Sequence, residues 1–139
     1  MNLNAYIGIP YKDHGRDRAG LDCWGLVDLV YRELLAVELP DYRRFYRDAS
    51  DTTGVAALLG MAALGQGDVA GWHPVPADAW RPLDALLLRV GRHHCHVGLL
   101  AGEGNFLHCL AGRAATLEPL DSFIWGSAVR GAFRWTAKP

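Results

Sequence analysis

The chain runs to 139 residues, enough for one domain and too few for two ordinary cores. Fourteen Lys and Arg against fifteen Asp and Glu leave a net charge of −1, and 50% of the residues are hydrophobic. That balance excludes a disordered chain and a nucleic-acid or membrane binder working by bulk charge; no apolar run nears the roughly 18 residues of a membrane span.

The opening Met1-Asn2-Leu3-Asn4 lacks the basic-then-apolar order of a signal peptide, so export by the general route is not expected. Tyr6 to Gly20 reads as loop, punctuated by Gly8, Pro10, Gly15 and Gly20. A helix then begins at the N-cap Asp22, with Leu26, Val27, Val30 and Leu34 recurring at three- and four-residue steps. It ends near Ala36, because Pro40 cannot lie inside it. A second helix is expected over Thr53 to Leu64, capped by Asp51 or Thr52 and stopped by Gly65-Gln66-Gly67. Trp72 to Pro82, with three prolines, reads as an irregular connector. Residues 38–80 thus form a helical insertion on a single domain spanning 1–139.

The period then changes. Ala85 to Val90, His96 to Leu100, Asn105 to Cys109 and Ala128 to Trp135 are short apolar segments between glycine turns, the pattern of consecutive antiparallel strands. Helices followed by strands give an α+β layout, with the helices packed on one face of the sheet.

Three cysteines, at 23, 95 and 109, cannot all pair within one chain, which argues against a disulfide framework. Cys23 follows the cap residue and occupies the first helical turn. The unpaired N–H groups and the dipole there are expected to bring the thiol below its free value. Gly25, one turn in, costs about 1 kcal/mol relative to alanine and implies that another backbone or a substrate comes close.

His96 starts a strand and shares a face with Gly98 and Leu100, whereas Cys95 points the other way. His93 and His94 read as surface residues. Whether His108 meets His96 depends on the loop between their strands. A four-residue loop, Ala101 to Gly104, turns His108 away. A three-residue loop, Ala101 to Glu103, pairs the two directly. A five-residue loop, Ala101 to Asn105, makes them diagonal neighbours roughly 7–8 Å apart between backbones. Cooperation therefore needs an odd loop or a bulge, and Gly102 and Gly104 supply the positive φ either odd loop requires.

Together the three residues have the types of a nucleophile, a base and an orienting group. A rival reading is a zinc-binding module using His94, His96 and His108 with a cysteine, although no Cys-x-x-Cys or His-x-x-x-His pair exists. A third is a catalytically silent structural plug or adaptor.

The segments Gly8-Ile9-Pro10-Tyr11, Gly20-Leu21-Asp22-Cys23-Trp24-Gly25-Leu26-Val27, His96-Val97-Gly98-Leu99-Leu100 and Phe106-Leu107-His108 resemble the NlpC/P60 family of cysteine peptidases. The resemblance covers most of the chain outside 38–80. It implies a papain-like α+β core and hydrolysis of amide bonds in peptidoglycan stem peptides, commonly after γ-D-glutamate, with no cofactor. It further implies Cys23 as nucleophile, His96 as base and His108 as third polar residue. Tyr11 matches a tyrosine near the nucleophile, and Asp22 an acidic neighbour that holds the substrate's amino group. Trp24 stands where many cell-wall members carry Ser and would shape the subsite beside the nucleophile. A Gly-Gly pair common before the cysteine appears here only as His14-Gly15. The short length and the wording around Cys23 resemble the versions carried by tailed phages, prophages and gene transfer agents. That resemblance implies tail proteins as partners and a place at a tail tip, made in the bacterial cytoplasm and acting in the periplasm.

Overall fold

The computed structural model describes residues 2–43, 71–90 and 93–136, with the side chains of 93–95 outside the description. The second helix expected at Thr53 to Leu64 and most of the 38–80 insertion lie outside the described residues.

A 3-10 turn, Leu3–Tyr6, opens the chain, and Asn2 caps it by accepting from the Asn4 N–H. A two-residue hairpin follows, β1 (Arg16–Asp17) with β2 (Gly20–Leu21), inside the stretch expected to be loop. Helix α1 spans Cys23–Leu35. Asp22 caps its start by accepting the Gly25 N–H at 2.7 Å, and Ala36 closes its end in the left-handed region at φ 53°. Its first turns are fully engaged, with Leu26, Val27 and Val30 all 0% exposed, whereas Leu34, expected on the same face, is 41% exposed near the helix end.

The remaining strands are β3 (Trp72–Val75), β4 (Ala85–Val90), β5 (His93–Leu100), β6 (Asn105–His108), β7 (Thr116–Pro119) and β8 (Val129–Trp135). They form one six-stranded sheet in the order β3-β8-β4-β5-β6-β7, antiparallel at every pairing. The α+β expectation holds. Two strands of this sheet were not anticipated. β3 falls where an irregular connector was expected; Pro74 is compatible with it because β3 is an edge strand, where a missing N–H costs no ladder bond. β7 carries no strong β-former pattern and is recruited by pairing with β6.

The sheet has two differently used faces. Ala85, Leu87, Val97, Leu99 and Leu107 join the cluster that contains α1. Their neighbours in sequence, Leu86, Leu88, Leu100 and Phe106, form a second cluster with Trp125 and Ala132 on the opposite face. By the same alternation His96, opposite Leu88 in the register, and His108 stand on this second face.

Candidate active site

The β5–β6 hairpin decides whether the two histidines meet. Leu99 pairs Leu107 and Leu100 pairs Phe106, so five residues, Ala101 to Asn105, connect the paired positions. Glu103 and Gly104 both take positive φ, 64° and 76°, as a tight turn of this hand needs. Of the two odd loops, the longer one forms. His108 therefore lies across from Gly98 and diagonal to His96. Gly98 makes the lean possible: a Cβ there would stand 3.2 Å from the His108 Cβ and 3.0 Å from the Leu107 carbonyl oxygen.

The result is a direct ring-to-ring hydrogen bond, His96 Nε2 to His108 Nδ1 at 2.8 Å. The other nitrogen of His108, Nε2, lies 2.5 Å from Glu118 Oε2, and Trp125 donates its Nε1–H to that same oxygen at 3.2 Å. The Trp125 ring also stacks on His96, centroids 6.0 Å apart and planes 29° apart. Both histidines are buried, His96 at 3% and His108 at 1% exposure.

Cys23 approaches from the α1 side. The N–H groups of the odd-numbered residues of β5 point toward β6, as the Ala101 N–H to Asn105 carbonyl bond shows. The β5–β6 register stops at Leu99 and Leu107, so the Val97 N–H emerges where the two strands have parted. There it lies close enough to the Cys23 sulfur to favour the thiolate, as does the Trp24 N–H from the first helical turn. Close packing brings the helix start here, since a Cβ on Gly25 would collide with the Gly15 carbonyl oxygen. The close approach expected at Gly25 is thus a backbone contact. Gly25 and Leu26 spend their N–H groups on Asp22, through its side chain and its carbonyl. The N–H groups of Cys23 and Trp24 remain as first-turn donors beside the sulfur.

The electrostatics reverse one expectation. Burial pushes the Cys23 thiol up to about 12, and the neighbouring Asp22 carboxylate adds to the rise. The N–H groups of Val97 and Trp24 and the Arg16 charge oppose it without prevailing. A helix terminus contributes about 0.3–1 kcal/mol, less than one pKa unit, whereas desolvation of a buried group moves several. His96 is pushed down to about 3, by burial first and the adjacent His108 second. Burial also lowers His108, with Glu118 opposing and Arg113 adding. Desolvation thus favours a neutral thiol and neutral imidazoles at rest.

Tyr11 is half-buried in an isolated bridge with Leu21 and donates its hydroxyl to Asp13 Oδ1 at 3.0 Å. Burial, then Asp13, then the Cys23 charge raise its phenol, so Tyr11 lies within electrostatic reach of the sulfur. The two residues flanking Cys23, Asp22 and Trp24, are both buried. Asp22 is 2% exposed, and its oxygens accept from the Gly25 and His14 N–H groups and from Arg16, so it caps the helix that carries Cys23. Trp24 is 3% exposed and packs edge-on against Tyr42 at 5.0 Å and tilted against Trp72 at 6.2 Å. Its indole packs in the core, with the ring N–H lacking a partner among the described residues, while its backbone N–H stays in the first helical turn beside the sulfur.

Cys109 is a buried free thiol donating to the Leu21 carbonyl at 3.3 Å. His94, a ligand in the zinc alternative, has no described side chain, and His96 and His108 spend their facing nitrogens on each other. Among the described residues no group of three or more His, Cys, Asp or Glu is arranged to hold a metal ion. Glu118 and Trp125 were missed by sequence reasoning; only their parity with His108 along a third strand could have flagged Glu118, and β7 itself was not foreseen.

A family model described as the NlpC/P60 family matches residues 8–134. Among the relatives, the probable endopeptidase NlpC homolog of Haemophilus influenzae is 22% identical over 122 residues, covering 88% of this chain and 53% of that protein. The gamma-DL-glutamyl hydrolase of Bacillus subtilis is 27% identical over 131 residues, 94% of this chain and 27% of that one. Murein DD-endopeptidase MepS/Murein LD-carboxypeptidase of Escherichia coli K12 is 23% identical over 118 residues, 85% of this chain and 51% of that one. The chain thus spans about half or less of these relatives. Among solved structures, the NlpC/p60 domain of peptidoglycan hydrolase SagA aligns with a TM-score of 0.59 at 18% identity, covering 94% of this chain and 91% of that one. A Staphylococcus aureus protein of the NLP/P60 family, similar to lipoprotein, aligns at 0.64 and 20% identity, covering 96% and 39%.

Proposed function

The chain belongs to the NlpC/P60 family, and on that premise we propose that it is a cysteine endopeptidase acting on the peptide stems of peptidoglycan, with Cys23 as nucleophile, His96 as base and His108 as the residue that orients it. The observation that carries this reading is the His96–His108 hydrogen bond at 2.8 Å, on the strand whose next residue, Val97, brings its N–H close to the Cys23 sulfur.

The reaction follows from the resting charges. A neutral thiol and a neutral imidazole do not form an ion pair in advance, so the thiol proton passes to His96 as the sulfur adds to the substrate carbonyl. The oxyanion is stabilised by first-turn N–H groups of α1, which carry the positive end of the helix dipole. His96 then gives its proton to the leaving amine as the C–N bond breaks, and an acyl-thioester remains on Cys23. Water, deprotonated by His96, attacks the thioester; the acid leaves and the thiol is restored.

The bond cut is, on this reading, the one after γ-D-glutamate, and the setting a phage-like tail tip acting in the periplasm beside other tail proteins. The support for both is the wording of the segment around Cys23 and its likeness to tail-borne members. Digestion of purified peptidoglycan with mass analysis of the released muropeptides tests the proposal. Stem-peptide fragments are expected from the parent and none from Cys23→Ala. Equal digestion by Cys23→Ala overturns it.

A further inference from the structure

The site does not end at its two histidines. His108 Nε2 and Trp125 Nε1 converge on one oxygen of Glu118, at 2.5 Å and 3.2 Å. Trp125 only donates, and a carboxylate only accepts. His108 must then carry its proton on Nε2 and leave Nδ1 as an acceptor. That acceptor faces His96 Nε2 at 2.8 Å, so His96 carries its proton on Nε2 in turn. One choice at Glu118 thereby fixes both tautomers and leaves Nδ1 as the bare nitrogen of His96.

Resting on the peptidase reading above, we infer that Glu118 is a positioning residue of the reaction, the terminal carboxylate of a Glu118–His108–His96 relay that keeps His96 Nδ1 free to take the thiol proton. Glu118 touches neither the sulfur nor the bond that is cut; it acts through His108. The geometry has the marks of a built site. The side chain of His108 is 1% exposed and that of Glu118 is 23% exposed, so little water competes for the bond. The Glu118 backbone is held by the ladder, opposite Phe106, two positions from the His108–Thr116 pair on the same face. Trp125 closes the arrangement by bonding Glu118 while packing on both imidazoles, 5.0 Å from His108 and 6.0 Å from His96 between centroids.

Charge and acceptor role are separable by substitution. Glu118→Gln keeps an oxygen that accepts from both donors and removes the charge. Glu118→Leu removes both. Without an acceptor, His108 is free to move its proton to Nδ1 and donate to His96 Nε2, which forces the His96 proton onto Nδ1 and disables the base.

Nitrogen NMR of histidine-labelled protein reads the tautomers without substrate. The parent and Glu118→Gln should show both rings protonated on Nε2, and Glu118→Leu should shift His96 toward Nδ1. Steady-state digestion of peptidoglycan should show kcat lower by about 10-fold in Glu118→Gln and about 100-fold in Glu118→Leu, with KM unchanged. A parent spectrum with His108 protonated on Nδ1, or a Glu118→Leu protein with the parent's tautomers and kcat, overturns the assignment. A parent that releases no fragments defeats the peptidase reading instead, while its NMR spectrum still judges the relay.

Discussion

The Val97 backbone N–H lies near enough to the Cys23 sulfur to favour its ionised form, where β5 and β6 separate, so the proposed nucleophile and base are tied to consecutive residues of one strand. Cys23 is only partly buried, yet its sulfur is costly to ionise, and its pKa of about 12 follows from desolvation first and from Asp22 second. Alkylation by iodoacetamide, followed by site-resolved mass spectrometry, should show the Cys23 rate climbing steadily through the alkaline range. A rate plateau reached by pH 6, as a preformed thiolate–imidazolium pair gives, would refute the neutral resting state.

The buried histidines make the fold sensitive to acid. His96 binds its proton only near pH 3 in the folded chain, against 6.5 for the free side chain, so between those values the unfolded state holds more protons. Stability then rises with pH across that window: it is fully present above about 6.5 and is lost as the pH falls toward 3. Between pH 7 and 4.5 the loss from His96 alone amounts to about 2 kcal/mol. Urea unfolding at the two pH values should show it, and His96→Gln should flatten the dependence. Equal midpoints for the parent at both pH values would contradict a neutral buried His96.

Much of this was legible in the residues, and the gaps have physical causes. The cap at Asp22 and the apolar spacing that follows determine α1 because both signals are local. Hairpin parity narrowed His96 and His108 to two odd loops but could not choose, since Glu103 at positive φ permits the longer turn as well as glycine would. Glu118 was invisible: its partner is ten residues away across a strand with no pattern of its own. The direction of the Cys23 shift was misjudged because a helix start is readable from sequence and the depth of burial is not. Trp24 looked like a subsite residue by adjacency to Cys23, yet the helix turns its next side chain into the core.

Gly98 is the spacer that lets the rings meet. A Cβ there would stand 3.0 Å from the Leu107 carbonyl oxygen, 3.1 Å from Phe106 Cδ2 and 3.2 Å from the His108 Cβ. Those contacts are tighter than β6 tolerates without moving, and the movement carries His108 away from His96. Gly98→Ala should remain folded, lose about 1–3 kcal/mol to overpacking, and lower kcat by about 10-fold while KM holds. Calorimetry and digestion kinetics check the two effects separately. Parent kcat in this variant would show that the histidine contact does not limit the reaction.

Trp24 separates a core role from a subsite role. Its ring fills the space between Tyr42 and Trp72, and its N–H is buried with no partner among the described residues. Removing an unpaired donor while keeping an aromatic ring costs little, so Trp24→Phe should stay within about 1–2 kcal/mol of the parent. Trp24→Ser leaves a large cavity and should cost about 3–5 kcal/mol. Because the indole presents nothing to the cleft, KM measured below the unfolding temperature should match the parent in both variants. A Trp24→Ser protein with parent stability and an altered KM would restore Trp24 to the substrate site.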